Sequence, residues 1–522
     1  MNVFIYGPPA SGKSSVGKAL AEHSGLAFVD LDEVIEFHAQ QTIADIFRTE
    51  GERGFRMREK EALQRVCSSG NQVVALGGGA LLDEENRKMV EGVGEIYCLH
   101  ASMETLMERL SHDHNQRPLL AEEVTQQLAE LLHRRADHYQ SFRNQVVADS
   151  RDVGEVAWEI QLRSGVFRVA GMGRPYIVRV QNHSLGEIGE VLRQENIRGR
   201  CFLLSDDNVA QYYLFPVHTS LERAGYKVVP YILPPGENTK NIDTIQQIWV
   251  EMTKTEIDRS SFLLALGGGV VSDIGGFAAA TYMRGIPWVV VPTTLLSMAD
   301  ASLGGKTGID LPAGKNLVGA FHPPQLVWAD PVTLETLPTE ELRSGLAEVV
   351  KSGIIGDALL YDLCAKGMEN VRGHLRECVC RSMAVKIKII QADPFERGRR
   401  AVLNLGHTVG HAIEVLSNYS ILHGFAVSMG MVAEAKLSVM MQLAAPNFPE
   451  QIAATLTGLG LPVKIPENIS PQDILQAMRA DKKKRDEALR FALPIQIGNV
   501  EASIAVRDQE LILQAIDGCR GE

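Results

Sequence analysis

Three groups of residues in this chain have types and spacings that could do chemistry. The first is Gly7-Pro8-Pro9-Ala10-Ser11-Gly12-Lys13-Ser14, between an apolar run, Val3-Phe4-Ile5-Tyr6, and a helical pattern from Ser15 to Leu20. Strand, glycine-rich turn, Gly-Lys-Ser and helix make a phosphate-binding loop. Gly7 and Gly12 let backbone N–H groups turn toward phosphate oxygens, and the helix N-terminus adds partial positive charge. Lys13 is placed to reach the outer phosphates and Ser14 to ligate Mg²⁺, with Ser15 beside them. The second group is Phe262-Leu263-Leu264-Ala265-Leu266-Gly267-Gly268-Gly269-Val270-Val271-Ser272-Asp273. An apolar strand running into three glycines and a helix can cradle a nucleotide phosphate, although it is not G-x-G-x-x-G. Arg284, Thr293, Thr294, Asp300, Lys306, Lys315 and Asn316 follow beside glycine turns and strand ends, as in a site for several anionic groups.

The third group is His407 and His411, one helical turn apart, with Glu348 and His423 elsewhere in the chain. Histidines and a carboxylate together suit Zn²⁺ with one open coordination position. Thr408 stands where H-E-x-x-H needs glutamate, which excludes the zinc-protease reading. Helical spacing alone does not choose between His411 and His423 as a ligand. Cys378-Val379-Cys380 reads as buried filler rather than a metal site.

Positioning these groups needs several domains, since 522 residues exceed one core. Near the first group, Phe28-Val29-Asp30-Leu31-Asp32 reads as a strand ending in two carboxylates that face the phosphate loop. Gly51 to Phe55 and Arg56 open a helix from Met57 to Val66, and Val73 to Gly79 is a buried strand running into bare backbone. Gln161 to Arg174 carries glycines but no long polar stretch, so any linker is short. From there to about residue 335, strand-like runs such as Tyr176–Val180 and Cys201–Asp206 alternate with helical ones, predicting a largely parallel sheet. After residue 336 long amphipathic patterns predict a mostly helical domain.

The net charge of −12 argues against a nucleic-acid partner. No run long enough to cross a bilayer is free of charge, so no membrane association is expected. Seven scattered cysteines suggest reduced thiols, and the phosphate-loop strand leaves no room for a signal peptide, both pointing to the cytoplasm.

Residues 1–162 resemble shikimate kinase. The resemblance implies a phosphate-loop kinase domain that binds ATP–Mg²⁺ and shikimate. Asp32 would bind the shikimate hydroxyls and orient the attacking one, or take its proton. Arg56 and Arg135 would clamp the carboxylate, with Gly78 and Gly79 presenting backbone N–H groups. His112 to Leu120 looks like the family's lid, with Arg117 closing on the transferred phosphate, and Arg135-Ala136-Asp137-His138-Tyr139 looks like its Arg-x-x-x-Tyr signature.

Residues 166–522 resemble 3-dehydroquinate synthase, most specifically over Leu266–Asp330 and His407–His423. This implies a Rossmann-like α/β NAD-binding domain at 166–336 and a mostly α-helical metal-binding domain at 337–522. The metal, Zn²⁺ or Co²⁺, would be held by Glu348, His407 and His423, with His411 on the substrate side. NAD⁺ would be held by Asp206 and Asn208, by Gly236, Glu237 and Lys240, by Gly268, Gly269 and Val270, and by Asp273, Thr293 and Thr294. Lys315 and Asn316 would lie at the same cofactor and substrate site. The heptulosonate phosphate would meet Arg284, Asp300, Lys306, Lys351, Lys386, Arg400, Asn404 and His411. Asp481-Lys482-Lys483 would supply one more lysine, Lys483 or its neighbour Lys482. Ser272 departs from the glycine common in the family, away from the assigned chemistry.

The implied reaction oxidises a ring carbinol with NAD⁺, eliminates phosphate, returns the hydride, and closes 3-dehydroquinate by aldol addition. The chain would then be a bifunctional shikimate-pathway enzyme, a homodimer through its synthase half. Two other readings stand beside this one: a related sugar-phosphate cyclase in the second half, or one half acting as a non-catalytic nucleotide-binding regulatory module.

Overall fold

The computed structural model describes residues 2–113, 121–312, 314–481 and 488–521. Arg117 and the Lys482/Lys483 pair lie outside the described residues. The chain divides into two compact units, Met1–Arg168 and Val169–Glu522.

The first unit is built on five strands in the order Ala27–Asp30, Gln72–Ala75, Asn2–Tyr6, Gly94–His100, Asn144–Val147. The four neighbouring pairs are parallel, so the carboxyl ends share one edge, where α/β sheets collect ligands. Val3, Ile5, Val73 and Leu99 meet the helix Lys13–Ser24 on one face. Phe4, Tyr6 and Val74 pack with Leu63, Tyr139 and Phe142 on the other. Two expectations change. The strand ends at Asp30, which N-caps the helix Leu31–Ala39, so Asp32 lies in a helical first turn. The helix expected from Met57 begins at Ile43 and runs to Cys67, broken only at Gly51, whose φ of 69° and ψ of −175° leave the helical region. Helical periodicity on both sides of a single glycine hid that continuity.

Near the division, the helix Val153–Ser164 ends on left-handed Gly165 (φ 68°), and the strand Val166–Val169 follows at once. After the edge strand Val166–Val169, within which the division falls, the second unit's sheet runs Tyr176–Val180, Leu326–Ala329, Trp288–Pro292, Phe262–Gly267, Cys201–Asp206, Val228–Leu233. Phe262-Leu263-Leu264-Ala265-Leu266-Gly267 is buried along its whole length, as expected of a central parallel strand covered on both faces. Lys306–Leu311 and Gly314–Phe321 form a separate antiparallel hairpin rather than strands of that sheet. The helical layer contains Thr339–Gly356, Leu375–Ala392, His407–Leu416 and His423–Met440. It also carries an antiparallel hairpin, Leu489–Gln496 with Asn499–Val506, that the helical reading of this region missed. Its alternating pattern lies in a short stretch after a long helical one. Among the described residues no helix is long and apolar enough to cross a membrane.

Candidate active sites

In the first unit the chain leaves its central strand through Gly7, at φ 141°, where a Cβ would sit 2.6 Å from the Leu99 carbonyl oxygen. Left-handed Gly12 (φ 91°) then caps the helix that starts at Lys13. Lys13 Nζ donates to the Pro8 carbonyl at 2.8 Å, and Ser14 Oγ donates to Asp30 Oδ2 at 2.6 Å. Ser11 Oγ is buried with no hydrogen-bond partner. Buried hydroxyls are normally paired, so this donor, beside Lys13 and a helix N-terminus, fits a phosphate oxygen. Ser15 lies on the same helix turn, exposed.

Burial pushes Lys13 down to about 8, against the pull of Asp32 and Asp30. Phosphate binding requires the ammonium, which is lost as pH rises through that value. Nucleotide binding by the full chain is therefore expected to weaken about tenfold between pH 7 and pH 9. Calorimetric titration with ADP at several pH values checks this, and a flat profile contradicts it.

Beside the loop, Asp30 accepts from Asp32 N at 3.1 Å, which aims the Asp32 side chain from the first helical turn. Burial and then Asp30 push the Asp32 carboxyl upward, while Lys13 opposes them. Arg56 donates to Glu59 Oε2 at 2.7 Å, and Glu59 is fully covered. A Cβ on Gly79 would meet the Arg56 guanidinium at 2.8 Å, and one on Gly77 would meet Glu59 Oε1 at 3.1 Å and Asp32 Oδ1 at 3.3 Å. The Gly78 carbonyl accepts from Arg135 (3.1 Å), Tyr139 (2.7 Å) and Tyr6 (3.2 Å). A Cβ on Gly78 would also meet the Gly7 carbonyl at 3.2 Å. Asp32, Arg56, Gly78, Gly79 and Arg135 thus gather against the phosphate loop, with two guanidinium groups available for a planar anion.

In the second unit, Gly268 caps the helix Gly269–Thr281 at the carboxyl end of the central strand. A Cβ there would lie 3.0 Å from Thr294 Cγ2, and Thr293 Oγ1 is buried without a partner. A bare cradle, a helix N-terminus and an unpaired hydroxyl fit a pyrophosphate. Val270 follows in the first helical turn, half-buried. Lys240 Nζ donates to Asp273 Oδ2 and to Asn316 Oδ1, each at 2.6 Å. Lys315 pairs with Glu237 at 3.5 Å, next to left-handed Gly236 (φ 103°). Burial pushes Asp273 up to about 6, with Lys240 opposing. Asp206 caps the next helix by accepting from Val209 N at 3.0 Å, and Asn208 is exposed in that helix's first turn.

Glu348, on the helix Thr339–Gly356, is 2 % exposed. Its Oε2 meets Lys351 Nζ at 2.5 Å, while its Oε1 lies 3.5 Å from His407 Nε2 and 3.5 Å from His423 Nε2. Oε1 has no hydrogen-bond partner although it is buried. His407 Nδ1–H donates to the Leu405 carbonyl at 3.1 Å, and His423 Nδ1–H to Glu414 Oε2 at 3.2 Å. Both rings therefore turn Nε2 toward the orphaned oxygen, with the outer-nitrogen support that metal-ligating histidines have. Burial and Lys351 hold His407 well below its ordinary value, leaving it neutral. Burial also opposes charge on His423, but Glu348 and Glu414 outweigh it and push this imidazole up to about 10, so the pocket favours a cation. One carboxylate and two imidazoles fit a divalent ion such as Zn²⁺ or Co²⁺. Glu414→Gln is expected to lower metal affinity about 10–100-fold, read by competition with a chromophoric chelator.

The helices holding this set touch through glycines. A Cβ on Gly424 would fall 1.9 Å from the Ser344 carbonyl oxygen, and one on Gly430 would fall 2.0 Å from that of Gly406. Asp300 lies in a π-turn, Ser297–Ala301, and Lys386 Nζ donates to its carbonyl and its Oδ1, each at 2.6 Å. Arg400 is buried, donating to the Pro394 carbonyl at 2.8 Å, with its guanidinium against Gly304. His411 is exposed, its ring centroid 5.1 Å from that of His407.

The other residues expected at the substrate lie as follows. Lys351, expected at the substrate, lies beside the triad and is paired with Glu348, as a buried ammonium requires a counter-charge. Lys306 is half-exposed and paired with Glu396 at 2.6 Å. Arg284 and Asn404 are exposed and join none of the site's hydrogen bonds. Sequence reasoning missed Glu59, Glu396 and Glu414. Glu59 lies three residues after Arg56 and Glu414 seven after His407, helical spacings that could have marked the first and last.

Comparison with known proteins agrees with this geometry. The shikimate kinase family model matches residues 9–163. Those for the N-terminal and C-terminal parts of 3-dehydroquinate synthase match 230–344 and 345–484. A 3-dehydroquinate synthase of Citrifermentans bemidjiense is 45 % identical over 336 residues, which are 63 % of this chain and 92 % of that protein. A Streptomyces hygroscopicus 2-epi-5-epi-valiolone synthase, solved with NAD⁺ and Zn²⁺, is 28 % identical with a TM-score of 0.60, covering 68 % of this chain and 99 % of that one. A 2-deoxy-scyllo-inosose synthase, 24 % identical with a TM-score of 0.62 over 68 % of this chain and 99 % of its own, shares the fold. With a phosphate loop facing a carboxylate-and-guanidinium pocket in one unit and a glutamate–histidine triad beside a dinucleotide cradle in the other, the chain belongs to the 3-dehydroquinate synthase family and joins that enzyme to a shikimate kinase domain.

Proposed function

We propose that the first unit transfers the terminal phosphoryl group of ATP to shikimate. The second unit converts 3-deoxy-arabino-heptulosonate 7-phosphate to 3-dehydroquinate with loss of phosphate. The observation that carries the synthase reading is the buried, unpartnered Glu348 Oε1 faced by two imidazole Nε2 atoms.

In the kinase unit, Lys13 and the backbone at Gly12 neutralise charge on the phosphates while Arg56 and Arg135 hold a carboxylate. Asp32, with its carboxyl pushed upward, lies beside Lys13 to orient the attacking hydroxyl or take its proton. In the synthase unit, Glu348, His407 and His423 would hold the metal, which when bound would supply a Lewis acid, and NAD⁺ would supply a hydride acceptor. Gly268, Thr293 and the Lys240–Asp273 pair bind the dinucleotide. Lys306, Lys386 and Arg400 supply positive charge for a substrate that is anionic at both ends, and His411 moves protons. The same reading makes the protein a cytoplasmic homodimer assembled through its second unit.

Metal and nucleotide analysis of the purified full chain, followed by assay with the heptulosonate phosphate and separately with shikimate plus ATP, tests the proposal. Both products are expected, with no net NADH. Turnover of another sugar phosphate instead would favour a related cyclase, and ATP binding without turnover would favour a regulatory first unit.

A further inference from the structure

His423 belongs to two sets of metal donors. The inner set, with Glu348 and His407, uses its Nε2. The outer set is His411, Glu414 and His423, whose donor atoms all lie within 4.8 Å of one another. His411 and Glu414 stand three residues apart on the helix His407–Leu416 and so share a face. Glu414 Oε2 is 3.2 Å from His423 Nδ1, the ring nitrogen that the inner set leaves outward. Glu348 is buried while His411 is exposed, so the outer set is the one open to solvent.

We propose that His411, Glu414 and His423 form a second divalent-cation site, for a borderline ion such as Zn²⁺ or Co²⁺, directly outside the first. Two imidazoles and a carboxylate are a donor set these ions accept. With both sites filled, His423 bridges the ions through its two nitrogens, and the proton on Nδ1 passes to solvent as the second ion binds. That ion lies close to another dication and so binds more weakly than the first. Its occupancy withdraws His411 from the substrate, so excess metal inhibits the cyclisation. The inference rests on the reading that the inner triad holds a metal.

The test uses the full chain stripped of metal and titrated with Co²⁺, followed by visible absorption and by equilibrium dialysis with metal analysis. The expected result is a tight first equivalent and a weaker second one in the wild type, with His411→Ala keeping the first and losing the second. A wild type that takes up one equivalent only, or a His411→Ala variant that still takes up two, overturns this proposal and leaves the inner site standing. No uptake at all overturns both. In parallel, added Zn²⁺ is expected to inhibit the synthase reaction while the first equivalent stays bound.

Discussion

Replacing Glu348 by glutamine is expected to strip the second unit of its metal and to reduce synthase turnover at least about a thousandfold. A Lewis acid at the reacting oxygen contributes several kcal/mol, and each ~1.4 kcal/mol is tenfold in rate. Two features of the site make the loss severe. Among the described residues Oε1 is the one acidic donor that faces both Nε2 atoms, and an amide in its place binds a divalent ion weakly. Oε2 also neutralises Lys351, which is 2 % exposed on the same helix. Breaking a buried pair by removing one partner costs about 3–5 kcal/mol, so the second unit should also unfold more easily. Glu348→Asp separates the two effects, because it keeps the charge beside Lys351 while drawing the carboxylate back by one methylene. Metal content per chain and synthase rate are the readouts for both variants. Shikimate phosphorylation by the same chains is expected to stay at its wild-type rate, since that chemistry lies in the other unit. A Glu348→Gln chain that retains its metal and turns over normally would sink the assignment.

The second large effect is expected from Lys13→Met. Lys13 follows the left-handed glycine at the helix start, its ammonium held by the Pro8 carbonyl at 2.8 Å. Charge builds up on the transferred group during phosphoryl transfer, and removing one positioned donor costs about 10²–10³ in turnover. Stability should move little. Burial already disfavours this ammonium, as its downward pKa shift shows, and methionine fills a similar volume without a charge to desolvate. The expected outcome is therefore a chain with unchanged thermal midpoint and synthase rate but with shikimate phosphorylation at roughly a hundredth or less. A large drop in synthase rate would show coupling between two reactions that are not consecutive.

The elements legible in the sequence were those whose chemistry constrains the backbone locally. Gly12 before Lys13, and Gly268 at the end of a fully apolar strand, announce a turn and a helix start wherever they occur. The histidine pair at 407 and 411 announces a shared helical face, yet spacing could not say which residue completes the ligand set. That depends on His423 meeting Glu348, residues 75 positions apart in the chain, through contacts between different helices. Buried counter-charges were hard to read for another reason: their helical spacing to a partner is common on solvated faces, and only the fold shows which pairs are covered. Glu59 and Glu414 look like ordinary surface glutamates until the fold covers them, and Lys351 shows its pairing with Glu348 only once both are buried. Asp32 was misplaced by a residue-scale ambiguity, since Asp30 can end a strand or cap a helix and here does both. The second-unit hairpins were hidden because short strands beside long helical patterns carry too little periodicity to stand out.

The glycine contacts at 424 and 430 have a bearing on which ions the protein can use. Helix backbones that already touch can neither slide together nor spread without breaking those seams, and a single added methyl would wedge them apart. The three donors consequently act as a calliper of set width. Ions content with short bonds and four neighbours match it, whereas Ca²⁺, which wants six to eight oxygens at about 2.3–2.6 Å, would find the jaws too narrow and too poor in oxygen. Discrimination against the abundant alkaline-earth ions thus follows from main-chain crowding as much as from the identity of the ligating side chains.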